Sequence, residues 1–443
     1  MTPLDFLRWY ESDERSIGGD RYSTAPLDVE EGERVGVVLM NLGGPNALDD
    51  VKPFLYNLLM DPALLPMPVG GGLRHGLCRA LAAFRAESVQ REYELIGGRS
   101  PLTRLTREQA DSLQGYLDEH FGAPTGIDFR TYVAMRYWHP FSEEAAAQMA
   151  EDGVDRVVLL PLYPQYSQAT TGSALAYWEA LADTGEIPSW PTTTLFEYAA
   201  NPKYVQALSE RIDEGLQRFP RAQRGEVQLL FNAHGPPRRR HPEEDPYCCL
   251  VHSTVHRVMQ YREDDRPCHL SFQNKVGLRE GLSPSTATTL TELATEGVDA
   301  VLVVPLTFAT DHFLTSYGLD IEVREQAETA GIPHFEITAG LNTHPLFIET
   351  LAEATVSQLN LPVDVNQLRV GGDGLSQDYP LRSYRERPRA DASAEDAGCS
   401  VCDNPTPARR WRRAGEEPES EIVRSRDRSD PKDAPVESTE SRT

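Results

Sequence analysis

The stretch EDGVDRVVLLPL, Glu151 to Leu162, returns as TEGVDAVLVVPL at Thr295 to Leu306, 144 residues later. Each copy reads as the end of a helix, a tight Gly-Val-Asp turn and a strand. A run of consecutive apolar β-formers suits a parallel sheet covered on both faces. Two further pairs keep the same order along the chain. NPKYVQALSERI (Asn201 to Ile212) matches HPLFIETLAEAT (His344 to Thr355), both reading as amphipathic helices entered through proline near the first turn. VVLMNLGGP, ending at Pro45, matches QLLFNAHGP, ending at Pro236, both strands running into a Gly-Pro loop. The chain therefore consists of two similar halves.

The last pair is offset by 191 residues rather than 144, so the first half carries roughly 47 residues that the second lacks. Met60 to Ser100 fits that insertion, with its Pro/Gly cluster LLPMPVGGG, a helix through Leu81 to Tyr93 and a GGRSP turn. The organisation that follows is α/β: two similar Rossmann-like domains with parallel sheets facing one cleft. A polar N-terminal extension over 1–33, with one short helix, is expected to be peripheral. The first half runs over 34–195 with the insertion at about 60–100, and the second over 196–378. Residues 379–443 are rich in charge, Pro and Ser and poor in aliphatics, and read as a disordered acidic and Arg-rich tail. Sheets of this kind bind ligands beyond the carboxyl ends of their strands, so function is expected in the loops that follow them.

The net charge is -25, and only four of the 43 basic residues are lysine. An acidic surface of this kind excludes nucleic-acid binding by clustered cations. Dense carboxylates keep a protein solvated when salt screens their repulsion, so the composition points to a salt-loaded cytoplasm and a halophilic origin. No window of 18 or more apolar residues occurs, and Met1 to Asp20 lacks the basic start and apolar run of a signal peptide. A cytoplasmic protein without an integral membrane segment is expected, its six cysteines serving as thiols or metal ligands rather than a disulfide framework.

His234 follows the strand VQLLFNA and precedes Gly235-Pro236-Pro237, which places its imidazole where a buried strand opens into the cleft. Neutral imidazole takes a proton or binds a first-row metal near neutral pH, although a lone histidine at such a place also serves as a structural residue. At the matching end of the second repeat strand, Asp311 and His312 stand where strand gives way to helix, a second polar pair facing the same cleft. The first repeat strand ends in PLYPQYSQATTGSAL, whose Tyr163, Tyr166 and Ser167 offer flat contacts and hydroxyls to a large planar ligand, or else packing.

Eight ordered motifs between about Val35 and Leu359 resemble those of ferrochelatases, the enzymes that insert ferrous iron into porphyrin. They are MNLGGPNALDDVKPFL, REYELIGGRSPL, MRYWHPFSEEA, YPQYSQATTGS, FNAHGPP, DPY at Asp245 to Tyr247, QNKVG at Gln273 to Gly277, and TDHFLTSYGLDIE. The resemblance implies two Rossmann-like, chelatase-type halves around a porphyrin cleft with an N-terminal lip, and Fe²⁺ as a substrate. His234 matches the histidine proposed to abstract a pyrrole proton or to bind the entering metal. Arg85, Tyr93 and Ser100 match lip residues that contact the porphyrin and its propionates, a task that suits the planar fork of arginine. Arg136, Tyr137 and His139 match the RY-x-HP loop near the inner face of the pocket, and Tyr163 a porphyrin wall. Leu42 stands where coproporphyrin-using Gram-positive enzymes carry tyrosine, which leans toward protoporphyrin IX.

The departures from the family pattern are equally specific. Family members carry a glutamate facing the histidine across the porphyrin, and this chain has Leu314 there. One turn on, where many members carry a second acid, it has Gly318, and only Glu322 keeps the third acidic place of a row read as one face of a helix. Asp311 or Glu322 is then the candidate to take over proton removal, with His312 as a second pocket histidine. The alternatives are a porphyrin- or haem-binding protein without turnover, and a chelatase for another metal or tetrapyrrole. Cys399 and Cys402 resemble the C-terminal cysteine motif of members that hold a [2Fe-2S] cluster, which needs four thiolates. The other two places of the animal-type set correspond to Gln168 and Pro407, so that set is incomplete, and Cys248, Cys249 and Cys268 offer an alternative. Oligomeric state is not legible at this level.

Overall fold

A computed structural model of the chain describes residues 1–12, 26–67, 69–234, 245–273 and 282–362. In chain order the strands are β1 (Leu27–Asp28), β2 (Arg34–Asn41), β3 (Asp128–Met135), β4 (Arg156–Pro161), β5 (Thr192–Thr194), β6 (Gln228–His234), β7 (Cys268–Gln273), β8 (Ala300–Pro305), β9 (His334–Ile337) and β10 (Leu359–Asn360). They build two four-stranded parallel sheets, ordered β3-β2-β4-β5 and β7-β6-β8-β9. The first strand of each set lies between the second and third in both. The α/β reading with two similar halves is thereby observed, and the repeated segments are β4 and β8.

The repeat has a physical basis that can be traced residue by residue. Gly153 and Gly297 both have positive φ, 71° and 79°, and each ends a helix with the left-handed turn that only glycine adopts without cost. The strands that follow are apolar on both faces because both faces are covered. Val158 and Leu160 of β4 share one core with Leu302 and Val304 of β8 and with Leu229 and Phe231 of β6, so that core runs between the sheets. The alternate residues Val157 and Leu159 pack under the outer helices of the first sheet, and Val301 and Val303 under those of the second. After the last strand of each sheet comes the helix matched in sequence, Pro202–Leu216 or Pro345–Val356. The first of these is capped by Asn201, whose side chain accepts from the backbone N–H groups of Lys203 and Tyr204.

In this strand order the chain leaves the first strand in one direction and later returns on its other side, so the crevice opens between β2 and β4 in one sheet and between β6 and β8 in the other. Two π-helical turns follow the repeat strands at comparable places, Gln168–Gly172 after β4 and Leu314–Val323 after β8. The helix Gly71–Glu94 occupies the insertion and carries exposed Leu73, Leu77, Leu81 and Phe84 along one face.

The N-terminal segment differs from its expectation as peripheral. Its helix Pro3–Ser12 buries Phe6, Leu7 and Tyr10, and the Phe6 ring lies 4.5 Å from the Arg136 guanidinium. β1 pairs in parallel with β10. Three apolar residues on one turn of helix are enough for docking, and a composition dominated by polar residues conceals them. The disorder expected for 379–443 concerns residues outside those described.

Candidate functional site

His234 is the last residue of β6, and its register partner on β7 is Gln273, the last residue of that strand. Its main chain is held from two sides. The backbone N–H donates to Thr307 Oγ1 at 3.1 Å, and the Tyr247 hydroxyl donates to its carbonyl at 2.8 Å. Tyr247 is placed in turn by Asp245, whose carboxylate accepts from the Tyr247 N–H (3.2 Å), the Ser167 hydroxyl (2.9 Å) and the Gln168 N–H (3.1 Å). The DPY and YPQYS motifs therefore latch the loop after β4 onto the residue that carries the histidine.

The imidazole lines a cavity of about 10 Å³ between β6 and β8, together with Gln273, Phe308, His312, Leu314 and Thr315. That volume is of the order of a single water and far below a macrocycle. His312 is 3% exposed, and its ring packs on Phe308 with centroids 3.9 Å apart, while Phe308 stands 6.2 Å from the His234 ring. His234 Nδ1, both ring nitrogens of His312 and Gln273 Nε2 are buried without a well-formed hydrogen bond. Orphaned polar atoms are uncommon in protein interiors and cost about 1–3 kcal/mol each, so four around one small cavity mark a site built for something other than packing.

Burial pushes the His234 imidazole down to about 4. The residue keeps part of its surface open, but its neighbours crowd the ring and Nδ1 is fully enclosed, so the crowding decides the direction. His312 falls to about 3, first through burial and then through the neighbouring His234, against a smaller opposing effect of the Thr310 backbone. Both rings are neutral at ordinary pH and present lone pairs rather than charge.

Asp311 does not share this cavity. Its carboxylate accepts from the Gly340 N–H (3.2 Å) and Asn342 Nδ2 (2.8 Å), while Asn342 Oδ1 accepts from the Asp311 N–H (3.0 Å). Asp311, expected as a proton acceptor facing the cleft, is found clamping the loop after β9. The acidic row is also corrected. Residues 314–323 form a π-helix, of which Leu314, Thr315 and Leu319 line the cavity. Of the expected row, Gly318 lies against Gln273, and the partly exposed Glu322 is not among the lining residues.

The residues expected to bind substrate fall into two groups. Tyr93, at the end of the inserted helix, packs against Phe313 with ring centroids 4.5 Å apart, next to Leu314. Burial holds its phenol well above the ordinary range. Ser100 is buried against the turn that follows Leu42: a Cβ on Gly44 would lie 2.6 Å from its side chain. The Ser100 hydroxyl accepts from the Leu102 N–H at 3.3 Å. Leu42 is half-buried and Arg85 exposed.

The second group surrounds Asp61. Its carboxylate receives Arg136 (2.9 Å), the Tyr137 hydroxyl (2.7 Å) and the Ser173 hydroxyl, and Arg136 Nε donates to Ser173 Oγ at 2.9 Å. Burial, the largest effect, opposes the Arg136 charge, but Asp61 together with Tyr137, Tyr177 and Tyr163 raises the guanidinium above its ordinary value. Arg136 lines a separate cavity of about 310 Å³. Tyr163 is buried beside it, and His139 is exposed and pairs with Glu144 at 2.6 Å. Tyr166 packs edge-on to Phe196, and Ser167 joins the latch on Asp245.

Cys399 and Cys402 lie outside the described residues, and among the described residues no three His, Cys, Asp or Glu side chains come together to hold a metal. Cys249 is buried, and Cys248 and Cys268 are half-buried. No helix among the described residues is long and apolar enough to cross a membrane. Sequence reasoning gave no role to Gln273, Thr307 or Phe308. The signal for Gln273 was its place at the end of SFQ, the strand beside the one that ends in His234.

Known proteins agree with this architecture. The family model described as Ferrochelatase matches residues 34–359. The ferrochelatase of Cyanothece sp. is 41% identical over 339 residues, covering 74% of this chain and 84% of that protein. That of Gloeobacter violaceus is 40% identical over 329 residues, 74% of this chain and 98% of that protein. A solved structure of SirB from Bacillus subtilis with Fe3+ aligns at a TM-score of 0.41 and 11% identity over 72% of this chain and 93% of that one. On the family model and these relatives, the chain belongs to the ferrochelatase family.

Proposed function

We propose that this protein is a chelatase of haem biosynthesis that inserts Fe²⁺ into protoporphyrin IX. The observation that carries the reading is the cavity at the β6/β8 crevice, where two neutral imidazoles present nitrogens that the protein leaves unpaired. Metal insertion into a free-base porphyrin forms metal–nitrogen bonds and releases two pyrrole protons, so the site must handle a dication and pass protons on. A neutral ring does both, as a ligand through a lone pair or as a proton acceptor. An imidazole depressed to about 4 holds an accepted proton weakly and releases it at once to solvent.

The cavity takes an ion and not a ring, so the macrocycle lies outside it. The inserted helix supports that arrangement: its exposed apolar face with Arg85 alongside suits an apolar disc bearing anionic propionates, and Tyr93 brings the helix end against Phe313. Leu42, where coproporphyrin-using enzymes carry tyrosine, supports protoporphyrin. Steady-state metalation with both porphyrins in molar salt tests the reading. Fe²⁺ insertion into protoporphyrin is expected to exceed that into coproporphyrin and to fall at least about 10²-fold in His234→Ala. Equal rates in variant and wild type would remove His234 from the reaction. A second reading, tetrapyrrole binding without turnover, is favoured by Leu314 in place of the facing acid; it predicts porphyrin uptake with no metalation by the wild type.

A further inference from the structure

The acid that family members place opposite the histidine is replaced by Leu314, and no carboxylate lines the cavity among the described residues. What stands there instead is a second imidazole and an amide. Gln273 ends the strand beside β6, is 7% exposed, and its Nε2 has no hydrogen-bond partner. Its amide reaches across to the π-helix at Gly318, where an added Cβ would lie 2.6 Å from Gln273 Nε2. Any side chain at 318, an acid included, would displace that amide. The glycine at 318 thus leaves that amide its place. His312 is enclosed just as fully, with neither ring nitrogen in a well-formed hydrogen bond.

We propose that His234, His312 and Gln273 form a carboxylate-free docking site for the divalent metal substrate. Each imidazole supplies one nitrogen lone pair. The amide supplies its carbonyl oxygen, and a half-turn about its last bond exchanges the positions of that oxygen and Nε2. Two neutral nitrogens and one neutral oxygen suit Fe²⁺, Co²⁺ and Zn²⁺, and they disfavour Mg²⁺ and Ca²⁺, which depend on carboxylates. The inference rests on the reading of this site as one that handles a divalent metal.

Co²⁺, in the absence of porphyrin, is the probe, followed by its visible ligand-field absorption and by calorimetry. Wild-type protein is expected to take up one Co²⁺ at this site, uncompeted by excess Mg²⁺. Affinity is expected to fall at least about tenfold in His312→Leu and in Gln273→Leu, the scale seen when even outer partners of a metal are lost. Gly318→Ala should give a comparable fall, because it pushes the amide aside without removing any donor. Circular dichroism establishes that each variant is folded. Gly318→Ala keeps the proposal open to refutation should the others fail to fold, since only the far end of Gln273 has to move.

Unchanged Co²⁺ spectra and affinity in folded variants would overturn the three-donor site. So would the absence of Co²⁺ uptake by the wild type, or uptake dominated by sulfur-to-metal charge transfer and indifferent to these substitutions. Metalation lost with the Co²⁺ site intact would strike the proposed activity alone, and metalation retained with no such site would strike the site alone.

Discussion

At the scale of single residues, the two cavity histidines have a consequence away from catalysis. His234 is held down to about 4 and His312 to about 3, both from 6.5, chiefly because burial strips water from the cation. As pH falls below 6.5 the unfolded chain takes up protons that the folded chain refuses. The stability present above that pH is then lost progressively, with a slope approaching about 1.4 kcal/mol per pH unit for each histidine until the folded values are reached. Urea unfolding across the window from 6.5 to about 4 should show this slope, with one histidine's share removed in His312→Leu. Identical slopes in the two proteins would mean that His312 is not buried as a neutral ring. His234 was legible in the sequence because a strand end followed by Gly-Pro-Pro projects a side chain into a crevice. Gln273 was not, because its role depends on a glycine 45 positions away, a contact that only folding creates.

Elements decide which side chains those residues meet. A four-residue spacing of acidic places reads naturally as a helix face, but the segment after β8 closes i→i+5, and its residue pattern carries no mark of that pitch. There Leu314, Thr315 and Leu319 line the cavity, and Glu322 does not. Asp311, at the entrance to this π-helix, ties it to the loop after β9 through Gly340 and Asn342. Asp311→Ala is therefore expected to cost about 1.5–3 kcal/mol, the worth of hydrogen bonds to a charged group. The loss should register as a lower unfolding midpoint with Co²⁺ affinity nearly unchanged. A hundredfold loss of metalation at undiminished stability would instead restore Asp311 to the chemistry. Tyr163 and Arg136 each lie in the loop just after a strand end, yet their contacts gather around Asp61, apart from the cavity at His234.

For the whole molecule, two halves, parallel sheets and the crevice were legible because the repeat keeps its glycine turn, its doubly buried strand and its following helix in one order. The docked N-terminal helix was not, since Phe6, Leu7 and Tyr10 find their partners, Arg136 and Tyr177 among them, far along the chain. Charge is the property that only the molecule as a whole possesses. Residues 379–443 hold 13 basic and 14 acidic side chains, so all but one unit of the net -25 falls on residues 1–378. Much of that stretch is packed into the cores between and outside the two sheets, which brings the like charges together at its surface. Folding concentrates their repulsion, and salt relieves it as the screening length falls from about 10 Å at 0.1 M to about 3 Å at 1 M. The unfolding midpoint is therefore expected to rise by several degrees between those concentrations of KCl, each kcal/mol gained being worth about 2–4 °C for a domain of this class. KCl is the appropriate salt, because sulfate or phosphate would also strengthen apolar burial by exclusion from the surface. Glucose or sucrose at matched osmolality supplies the control: a rise in KCl that the sugar reproduces, or a midpoint indifferent to KCl, would refute adaptation to a salt-loaded cytoplasm.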